Sequence, residues 1–467
     1  MKTTYAKAGI CIAVPVLLLL LPVPQGLTPQ AWKFCAVYIG AILGLVLRPM
    51  PEPVVLLAAI AVASLGLNET TAALSGFGGG TAWLVFAAFI VGQCFLDTGL
   101  GKRISYHVIR MAGGETLNLG YAVAIADYVM SPAMPSNTAR TGGIVFPIFN
   151  SLVKTLEPNP GEGVRPVGTY IMANMYQVSL TTSALFITAS AVPAMIMRFA
   201  RDITGVDIAW GEYAVAMSVP GLLSLLIIPL IVYKICTPTL KTFDNRKLAD
   251  EGLKELGPIS RSEIKLAILF VFALLGWGTS MFTKLNSTGI AIAFCTLSLL
   301  LGILSWNRVL ECKGAWSTFI WYAGIISLAG GLNKHGFFKW LGVTMQNSFN
   351  FDGYDKITIL IGLILISIVV RYIFASSAAF VASMMPVLLT LGHALQVPSY
   401  PLILMLAQSA IIASVLTHYG NAAAPIIFGT GYVSTKMWWI VGHVTTFAVL
   451  LIFFTIGLQW WKFLGLW

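Results

Sequence analysis

The residues that could do chemistry lie in short polar stretches, each set inside a long apolar run. The first reads SPAMPSNTARTGGIVFP and carries Ser136, Asn137, Thr138 and Arg140. Hydroxyl and amide groups can donate hydrogen bonds to an anion, and their oxygens can instead ligate a small cation. We call residues 136–138 the first tip. Its composition is compatible with binding an anion, a cation or both.

A second stretch repeats part of this chemistry later in the chain. It reads Ala375-Ser376-Ser377-Ala378 and is called the second tip. It keeps hydroxyls but has no amide, and serine also lets helices pack closely in a membrane. Its position relative to the first tip favours a binding role over packing alone.

Two further polar stretches interrupt apolar runs. They read SLTTSALFITASAVPAM (179–195) and VLTHYGNAAAPIIFG (415–429). Proline removes a helix hydrogen bond, so we expect Pro193 and Pro425 to break these helices and free carbonyl groups. The candidate binding residues in the two stretches are Thr182, Ser183, Thr417 and Asn421.

Two residues could supply positive charge. Arg140 could neutralise an anionic ligand, or it could be held by a nearby carbonyl or carboxylate or reach the membrane surface. His418 could act as a cationic partner or a proton-sensing group, or it could be a neutral donor to a freed carbonyl. The residues alone leave both alternatives open.

The elements that position these residues must be membrane helices. The chain has 467 residues, 57% of them apolar and only 10% charged, with a mean hydropathy of +0.85. A soluble domain carries roughly 25% charged residues, and a helix needs about 20 apolar residues to cross a bilayer. The composition therefore predicts an all-α polytopic membrane protein, with membrane lipid as its surroundings.

Charge and cysteine patterns exclude other classes. Most of the 28 Lys and Arg residues fall in loops on one predicted side, which places the N-terminus in the cytoplasm and explains the net charge of +10 without nucleic acid. The six cysteines show no paired spacing, so we expect no metal site and no cofactor. The sequence has neither a pair of acids nor an HExxH helix of the kind that would indicate an enzyme.

Internal similarity predicts the organisation. The polar linker 238–262 separates two halves, and three stretches of each half match at nearly one offset. We therefore expect an extra helix at 1–29 and two repeats at 30–237 and 263–467. Each repeat would hold a re-entrant hairpin (117–150 and 355–392) and a broken helix (165–200 and 399–430). An odd number of spans in each repeat makes the second repeat inverted, an arrangement common in secondary transporters.

These residues resemble a known family. The first tip with its following Ala139, the second tip, LTHYGNAAAPIIFG (416–429) in the second predicted broken helix and WKFCAVYIGAILGLVLRPMPEPVV (32–55) are similar to the divalent anion:sodium symporter (DASS) family. The resemblance implies about 11 transmembrane helices in two inverted repeats, a homodimer and an elevator-type movement. It implies C4–C6 di- or tricarboxylate substrates bound by the two tips, with Ser183 and Thr417 closing the site.

The departures from the family pattern point to its exchanger branch. Na⁺-coupled members carry Ser-Asn-Thr at both tips, whereas Asn137 here has Ser376 opposite it. The stretch THYG resembles antiporters that exchange citrate for succinate or 2-oxoglutarate for malate. A dianion in a low-dielectric site needs compensation, since an uncompensated charge costs several kcal/mol. Without Na⁺, Arg140 and His418 would supply the compensating positive charge. Movement of the protein without bound substrate would then be unfavourable, because this charge would cross the membrane unpaired. A Na⁺- or H⁺-coupled symporter is the alternative.

Overall fold

The computed structural model describes residues 2–156, 167–242, 244–348 and 353–467. Within these ranges the chain forms 24 α-helices, two 3₁₀ turns and two short π-helices, and it contains no β-strand beyond one isolated bridge between Glu115 and Thr242. The predicted all-α class is therefore confirmed. Residues 165 and 166, the predicted start of the first broken helix, lie outside the described ranges.

The helices are α1 (Lys2–Leu20), α2 (Pro29–Leu47), α3 (Glu52–Gly66), α4 (Thr70–Leu74), α5 (Gly80–Thr98), α6 (Leu100–Met111), α7 (Thr116–Met130), α8 (Phe146–Leu156), α9 (Val167–Thr182), α10 (Ala191–Thr204), α11 (Trp210–Cys236), α12 (Asn245–Leu256), α13 (Arg261–Gly278), α14 (Ser280–Thr283), α15 (Ser287–Leu300), α16 (Trp306–Glu311), α17 (Lys313–Lys334), α18 (Phe337–Ser348), α19 (Lys356–Arg371), α20 (Ser377–Ala394), α21 (Ser399–Ile412), α22 (Ala424–Phe428), α23 (Thr435–Ile452) and α24 (Leu458–Phe463).

Seven of the described helical segments are long and apolar enough to cross a membrane. They are Pro29–Leu47, Gly80–Thr98, Trp210–Cys236, Lys313–Lys334, Ser377–Ala394, Ser399–Leu416 and Thr435–Phe463. The remaining apolar helices are shorter, because the chain interrupts them at polar stretches. The polytopic character is confirmed, whereas the predicted count of 11, the cytoplasmic N-terminus and the inverted repeats stay predictions.

The outward faces of these helices are apolar, as a lipid environment requires. Leu300, Phe447 and Ile373 expose 76%, 70% and 73% of their surfaces, and many other large apolar side chains are similarly exposed. A soluble monomer rarely presents so much contiguous apolar surface. The polar residues of the tips are instead buried or half-buried.

The packing places each predicted hairpin beside a broken helix. The α7 and α8 arms of the first hairpin pack against α9, the helix that precedes the first interruption. The α19 and α20 arms of the second hairpin pack against α21, and α20 also packs against α10. Each tip is therefore held next to an interrupted helix of its own half.

The predicted linker 238–262 contains a folded helix, α12, in its described residues. This helix packs on α6, one of two amphipathic segments between the spans. The side chain of Asn245, at the first turn of α12, donates to the carbonyl oxygens of Ile109 (2.7 Å) and Gly113 (2.5 Å). Arg103 on α6 pairs with the buried Glu263 of α13 at 2.6 Å. The linker therefore fastens α6 to the start of the second half.

Candidate functional site

The first tip follows a change of backbone conformation. Helix α7 ends at Met130, a 3₁₀ turn covers Ser131–Ala133, and residues 134–136 are not helical. Pro132 and Pro135 lack the N–H group that would continue a helix. The chain then winds as a π-helix, Thr138–Val145. The hydroxyl of Ser136 accepts the N–H of Ala139 at 3.2 Å and so caps this helical turn.

A buried ion pair lies behind the first tip. Arg140 and Asp127 are 0% and 1% exposed, and Nε of Arg140 lies 3.1 Å from Oδ2 of Asp127. The contact is ionic without hydrogen-bond alignment, because Nε has no hydrogen-bond partner. A lone buried charge is costly, and a carboxylate at this distance offsets it. The two residues together therefore bring no net charge to the first tip.

Arg140 also ties the first tip to the end of α9. Its Nη1 donates to the carbonyl oxygens of Met134 (2.7 Å) and Ala189 (3.0 Å). Its Nη2 donates to the hydroxyls of Thr182 (3.2 Å) and Ser183 (3.0 Å). The guanidinium thus fixes the tip against both sides of the interruption that follows α9.

Hydroxyl and amide groups complete this first cluster. Asn137, which is 7% exposed, donates from Nδ2 to Oγ of Ser179 at 3.4 Å and accepts the hydroxyl of Thr138 at 3.5 Å. The hydroxyl of Thr141 donates to Asp127 at 3.1 Å, and its oxygen lies 2.6 Å from the hydroxyl oxygen of Ser179. Ser136 and Thr138 are half-buried, so they are the tip hydroxyls that remain accessible.

The interruption after α9, residues 183–190, is called the first break. The next helix, α10, begins at Ala191, and Pro193 is its third residue. The expectation that Pro193 frees a carbonyl is wrong, because the first four N–H groups of a helix have no intrahelical partner for proline to remove. Side-chain hydrogen bonds stabilise the non-helical conformation of the break. For example, the hydroxyl of Ser190 donates to the carbonyl oxygen of Ser183 at 3.1 Å.

The second tip joins α19 to α20. Helix α19 ends at Arg371, and α20 begins at Ser377. Ser376 has an extended backbone, and its hydroxyl accepts the N–H of Ala379 at 3.3 Å, which caps α20. Ala378 lies in the first turn of α20, where backbone N–H groups are left without intrahelical partners.

Arg371 is the buried cation of the second half, and sequence analysis did not identify it. It is 2% exposed. Its Nη1 donates to the carbonyl oxygen of Phe374 at 2.5 Å, and its Nη2 donates to Oγ of Ser377 (3.0 Å), Oγ of Ser414 (2.8 Å) and the carbonyl of Gly420. Unlike Arg140, it makes no ion pair with a carboxylate in the described residues.

The interruption after α21, residues 417–423, is called the second break. A 3₁₀ turn, Ala413–Leu416, precedes it, and the five-residue α22 follows. Pro425 is the second residue of α22, so it too starts a helix and frees no carbonyl, contrary to our expectation. Glycine is required at position 420, since a Cβ there would lie 2.4 Å from the carbonyl oxygen of Ser414.

The three candidates of the second break have different surroundings. Asn421 donates from Nδ2 to Oγ of Ser377 at 3.3 Å and so joins the second tip. Thr417 is buried at 3% exposure. His418 is half-buried, its ring packs against Phe428 at 4.9 Å between ring centres, and its Nδ1 lies 3.5 Å from the indole nitrogen of Trp439.

The two clusters are linked through their breaks. Tyr176 on α9 donates its hydroxyl to the carbonyl oxygen of Ser414 at 3.0 Å. Ile426 of α22 lies against Gly142 of the first hairpin, so close that a Cβ on Gly142 would be 3.1 Å from Cδ1 of the isoleucine. Elements of both halves therefore meet where the two helices are interrupted.

Sequence analysis missed residues whose roles arise from contacts. Asp127, Ser179 and Thr141 of the first cluster, and Ser414 and Arg371 of the second, carry most of the internal hydrogen bonds. A signal was present for Arg371, because it is the only Asp, Glu, Lys or Arg residue between positions 357 and 392. A single charge in an apolar segment is functional or paired.

One cavity of the described chain lies apart from the two tips. It is open, has a volume of about 770 Å³ and lies between α10, α11 and α15, and none of the candidate residues lines it. No group of three or more His, Cys, Asp or Glu side chains in the described residues is arranged to hold a metal ion.

The chain is similar to known transporters. Residues 2–467 match the family model described as "Sodium:sulfate symporter transmembrane region". A putative malate transporter of Bacillus subtilis is 38% identical, over 98% of this chain and 96% of the relative. An L-tartrate/succinate antiporter of Escherichia coli is 32% identical, over 96% of each chain. A solved structure of Neisseria gonorrhoeae MtrF, described as illuminating a class of antimetabolite efflux pumps, has a TM-score of 0.59 at 13% identity and covers 96% of this chain and 97% of its own. That last likeness concerns the fold alone.

Proposed function

Because the chain belongs to the sodium:sulfate symporter family of membrane transporters, we propose that it exchanges C4–C6 di- and tricarboxylates across the membrane without Na⁺. It is a transporter and not an enzyme, and the family resemblance noted in the sequence is confirmed. The substrates named for its relatives, malate, tartrate and succinate, are all dicarboxylates. Citrate and 2-oxoglutarate are further candidate substrates of the same chemistry.

The observation that carries this proposal is that a buried guanidinium ties each tip to a break. Arg140 binds the first break, and Arg371 binds the second. A symporter brings a cation with each anionic substrate, whereas the guanidinium of Arg371, which no carboxylate in the described residues offsets, keeps its charge when the substrate leaves. An empty carrier would then move unpaired charge through a low-dielectric region, which is unfavourable. Obligatory exchange follows from this difference.

Substrate recognition falls to the accessible groups of the two tips. In this proposal Ser136, Asn137 and Thr138 donate to one carboxylate, and Ser376, Ser377 and the backbone at Ala378 donate to the other. The residues of the breaks, Thr182, Ser183, Thr417 and Asn421, orient these donors and close the site.

Charge compensation is shared unevenly in this proposal. Asp127 offsets Arg140, so Arg140 serves mainly to hold the first tip in place. His418 is half-buried within the second break and is the further candidate for charge compensation. The movement is of the elevator type in a homodimer of the plasma membrane, with the N-terminus in the cytoplasm, as the family resemblance and the distribution of basic residues indicate.

One observation favours the alternative of cation-coupled symport. Asp127 lies among oxygens of Thr141, Thr182 and Ser179, a set of hard ligands of the kind that Na⁺ accepts. Arg140 argues against a Na⁺ ion there, because its guanidinium already pairs with the carboxylate of Asp127.

Counterflow in proteoliposomes tests the proposal. Vesicles are loaded with unlabelled succinate or malate, or left empty, and labelled succinate is added in choline buffer. Uptake into loaded vesicles alone is the expected result. Uptake into empty vesicles that requires external Na⁺, or an imposed pH gradient, would overturn exchange in favour of symport.

A further inference from the structure

Arg371 is the one buried cation at either tip whose charge no carboxylate in the described residues offsets. The first hairpin carries Asp127 and Arg140, which pair at 3.1 Å. Residues 357–392 carry Arg371 and no acid, and residues 399–430 of the neighbouring broken helix contain no Asp, Glu, Lys or Arg. Its Nε is also buried without a hydrogen-bond partner. The second tip therefore has an unbalanced positive charge.

The hydrogen bonds of this cluster determine the direction in which Ser377 can act. Its Oγ accepts one N–H from Arg371 at 3.0 Å and one from Asn421 at 3.3 Å. A hydroxyl oxygen has two lone pairs and one hydrogen. Both lone pairs thus face nitrogen atoms that can donate but cannot accept. The hydrogen of the Ser377 hydroxyl must therefore be donated elsewhere.

Two acceptors are open to that single hydrogen. One is Oγ of Ser414, which lies 3.3 Å away. Ser414 already accepts from Arg371 at 2.8 Å and is 1% exposed, whereas Ser377 is half-buried and stands at the start of α20. A bond to an ionised acceptor is roughly twice as strong as a neutral one. The hydroxyl of Ser377 would therefore donate to an anion at the second tip in preference to Oγ of Ser414.

We propose that Arg371 is a positioning residue that makes the second tip specific for a carboxylate. Its guanidinium supplies the uncompensated positive charge, and through Nη2 it turns the Ser377 hydroxyl into an obligatory donor. The same Nη2 lies within hydrogen-bond distance of oxygens of Ser377, Ser414 and Gly420, so its positive charge disfavours a Na⁺ ion among these oxygens. This inference rests on the proposed function and names the residue that selects the anion.

Variants of Arg371 and Ser377 test the proposal in two separate assays. Succinate binding is measured by calorimetry on the full chain in detergent, and counterflow gives the KM, both in choline buffer. R371Q removes the charge and is expected to weaken binding and raise the KM by about 10- to 100-fold, the range of a hydrogen bond to a charged group. S377A is expected to weaken binding by about 10-fold.

A double variant separates positioning from simple packing. If Arg371 acts through Ser377, the double variant R371Q/S377A binds succinate no more weakly than R371Q alone, because losing either residue removes the same interaction. S414A is the matched control: its hydroxyl binds the same Nη2 but faces the interior, so its effect on binding should stay below about 3-fold. R48Q removes an exposed arginine that is 51% accessible and should behave as wild type.

The possible outcomes distinguish this inference from the proposed function. Wild-type KM and binding in R371Q, additive losses in the double variant, or equal losses in S377A and S414A would each overturn the role of Arg371. If R371Q does not fold, the comparison of S377A with S414A decides. Wild type that binds succinate but does not exchange it would overturn the antiport alone, while absence of binding to wild type would overturn both.

Discussion

The two hairpins perform the same mechanical task with different charges. In the first, Arg140 joins the tip to the break after α9 and is offset by Asp127. In the second, Arg371 joins the tip to the break after α21 and no acid accompanies it in the described residues. An internally neutral pair contributes structure, whereas a lone cation retains an attraction for a ligand. The difference assigns support to the first hairpin and selection of the anion to the second.

The halves also differ in how their amphipathic helices are held. Helix α6 is fastened to the linker helix α12 by the buried Asn245 and to α13 by the Arg103–Glu263 pair. Helix α18 of the second half packs on α20, and its Trp340 donates to the carbonyl oxygen of Gln25 in an exposed position. The polar contacts that hold α6 are therefore buried, whereas the one that Trp340 makes from α18 is exposed.

The largest expected effect concerns the ion pair. R140Q leaves Asp127 buried without a cation, so we expect a loss of about 3–5 kcal/mol in the free energy of unfolding. R371Q should lose only about 1–3 kcal/mol, because it strands no charge. Thermal unfolding of both variants in detergent checks the ranking.

The double variant D127N/R140Q is the control for this prediction. It removes both charges and should regain most of the stability lost in R140Q. Equal destabilisation by R140Q and R371Q would break the contrast between the hairpins, since it would mean that Asp127 contributes nothing particular.

The next effect concerns the two closely packed glycines. G420A places a Cβ 2.4 Å from the backbone carbonyl of Ser414, so we expect a loss of up to about 3 kcal/mol in stability. G142A meets only the flexible end of Ile426 and should cost under about 1 kcal/mol. The unfolding midpoints of the two variants give the comparison, and a reversed order would contradict the geometry of the second break.

The fastening of α6 gives a smaller effect. N245A leaves the carbonyl oxygens of Ile109 and Gly113 without their side-chain donor, and we expect a loss of about 1–2 kcal/mol. W340F removes one exposed bond from α18 and should lose less than about 1 kcal/mol. Limited proteolysis of the linker reports the same change, because a released α12 is cleaved faster. Equal stability of the two variants would remove the difference between the halves.

The smallest effect tests a feature that the two halves share. Ser136 and Ser376 each cap a helical turn by accepting the N–H three residues ahead. S136A and S376A should each cost about 1 kcal/mol of stability, and the double variant should lose the sum. Unequal losses measured by thermal unfolding would show that the likeness of the tips does not extend to their energetics.

Much of the fold followed from pattern, because a bilayer constrains each span locally. The predicted membrane helices are present, for example α5 and α11, and the capping serines of both tips stand where the polar interruptions predicted chain breaks. The prolines were misread: Pro193 and Pro425 start the helices after the breaks. A proline in an apolar run does not reveal whether it ends one helix or begins the next. The missing N–H group of proline interrupts a helix that precedes it and is equally compatible with the first turn of a helix that starts there.

The sequence by itself determined the all-helical membrane class, the family and the location of the polar interruptions, because these depend on composition and on short motifs. Only the tertiary structure decided that Asp127 neutralises Arg140 and that Arg371 meets Ser377, Ser414 and Gly420. These partners are separated by 6 to 49 positions in the chain. The energy of a buried charge depends on which groups the fold brings within a few ångströms, and chain order does not encode that distance.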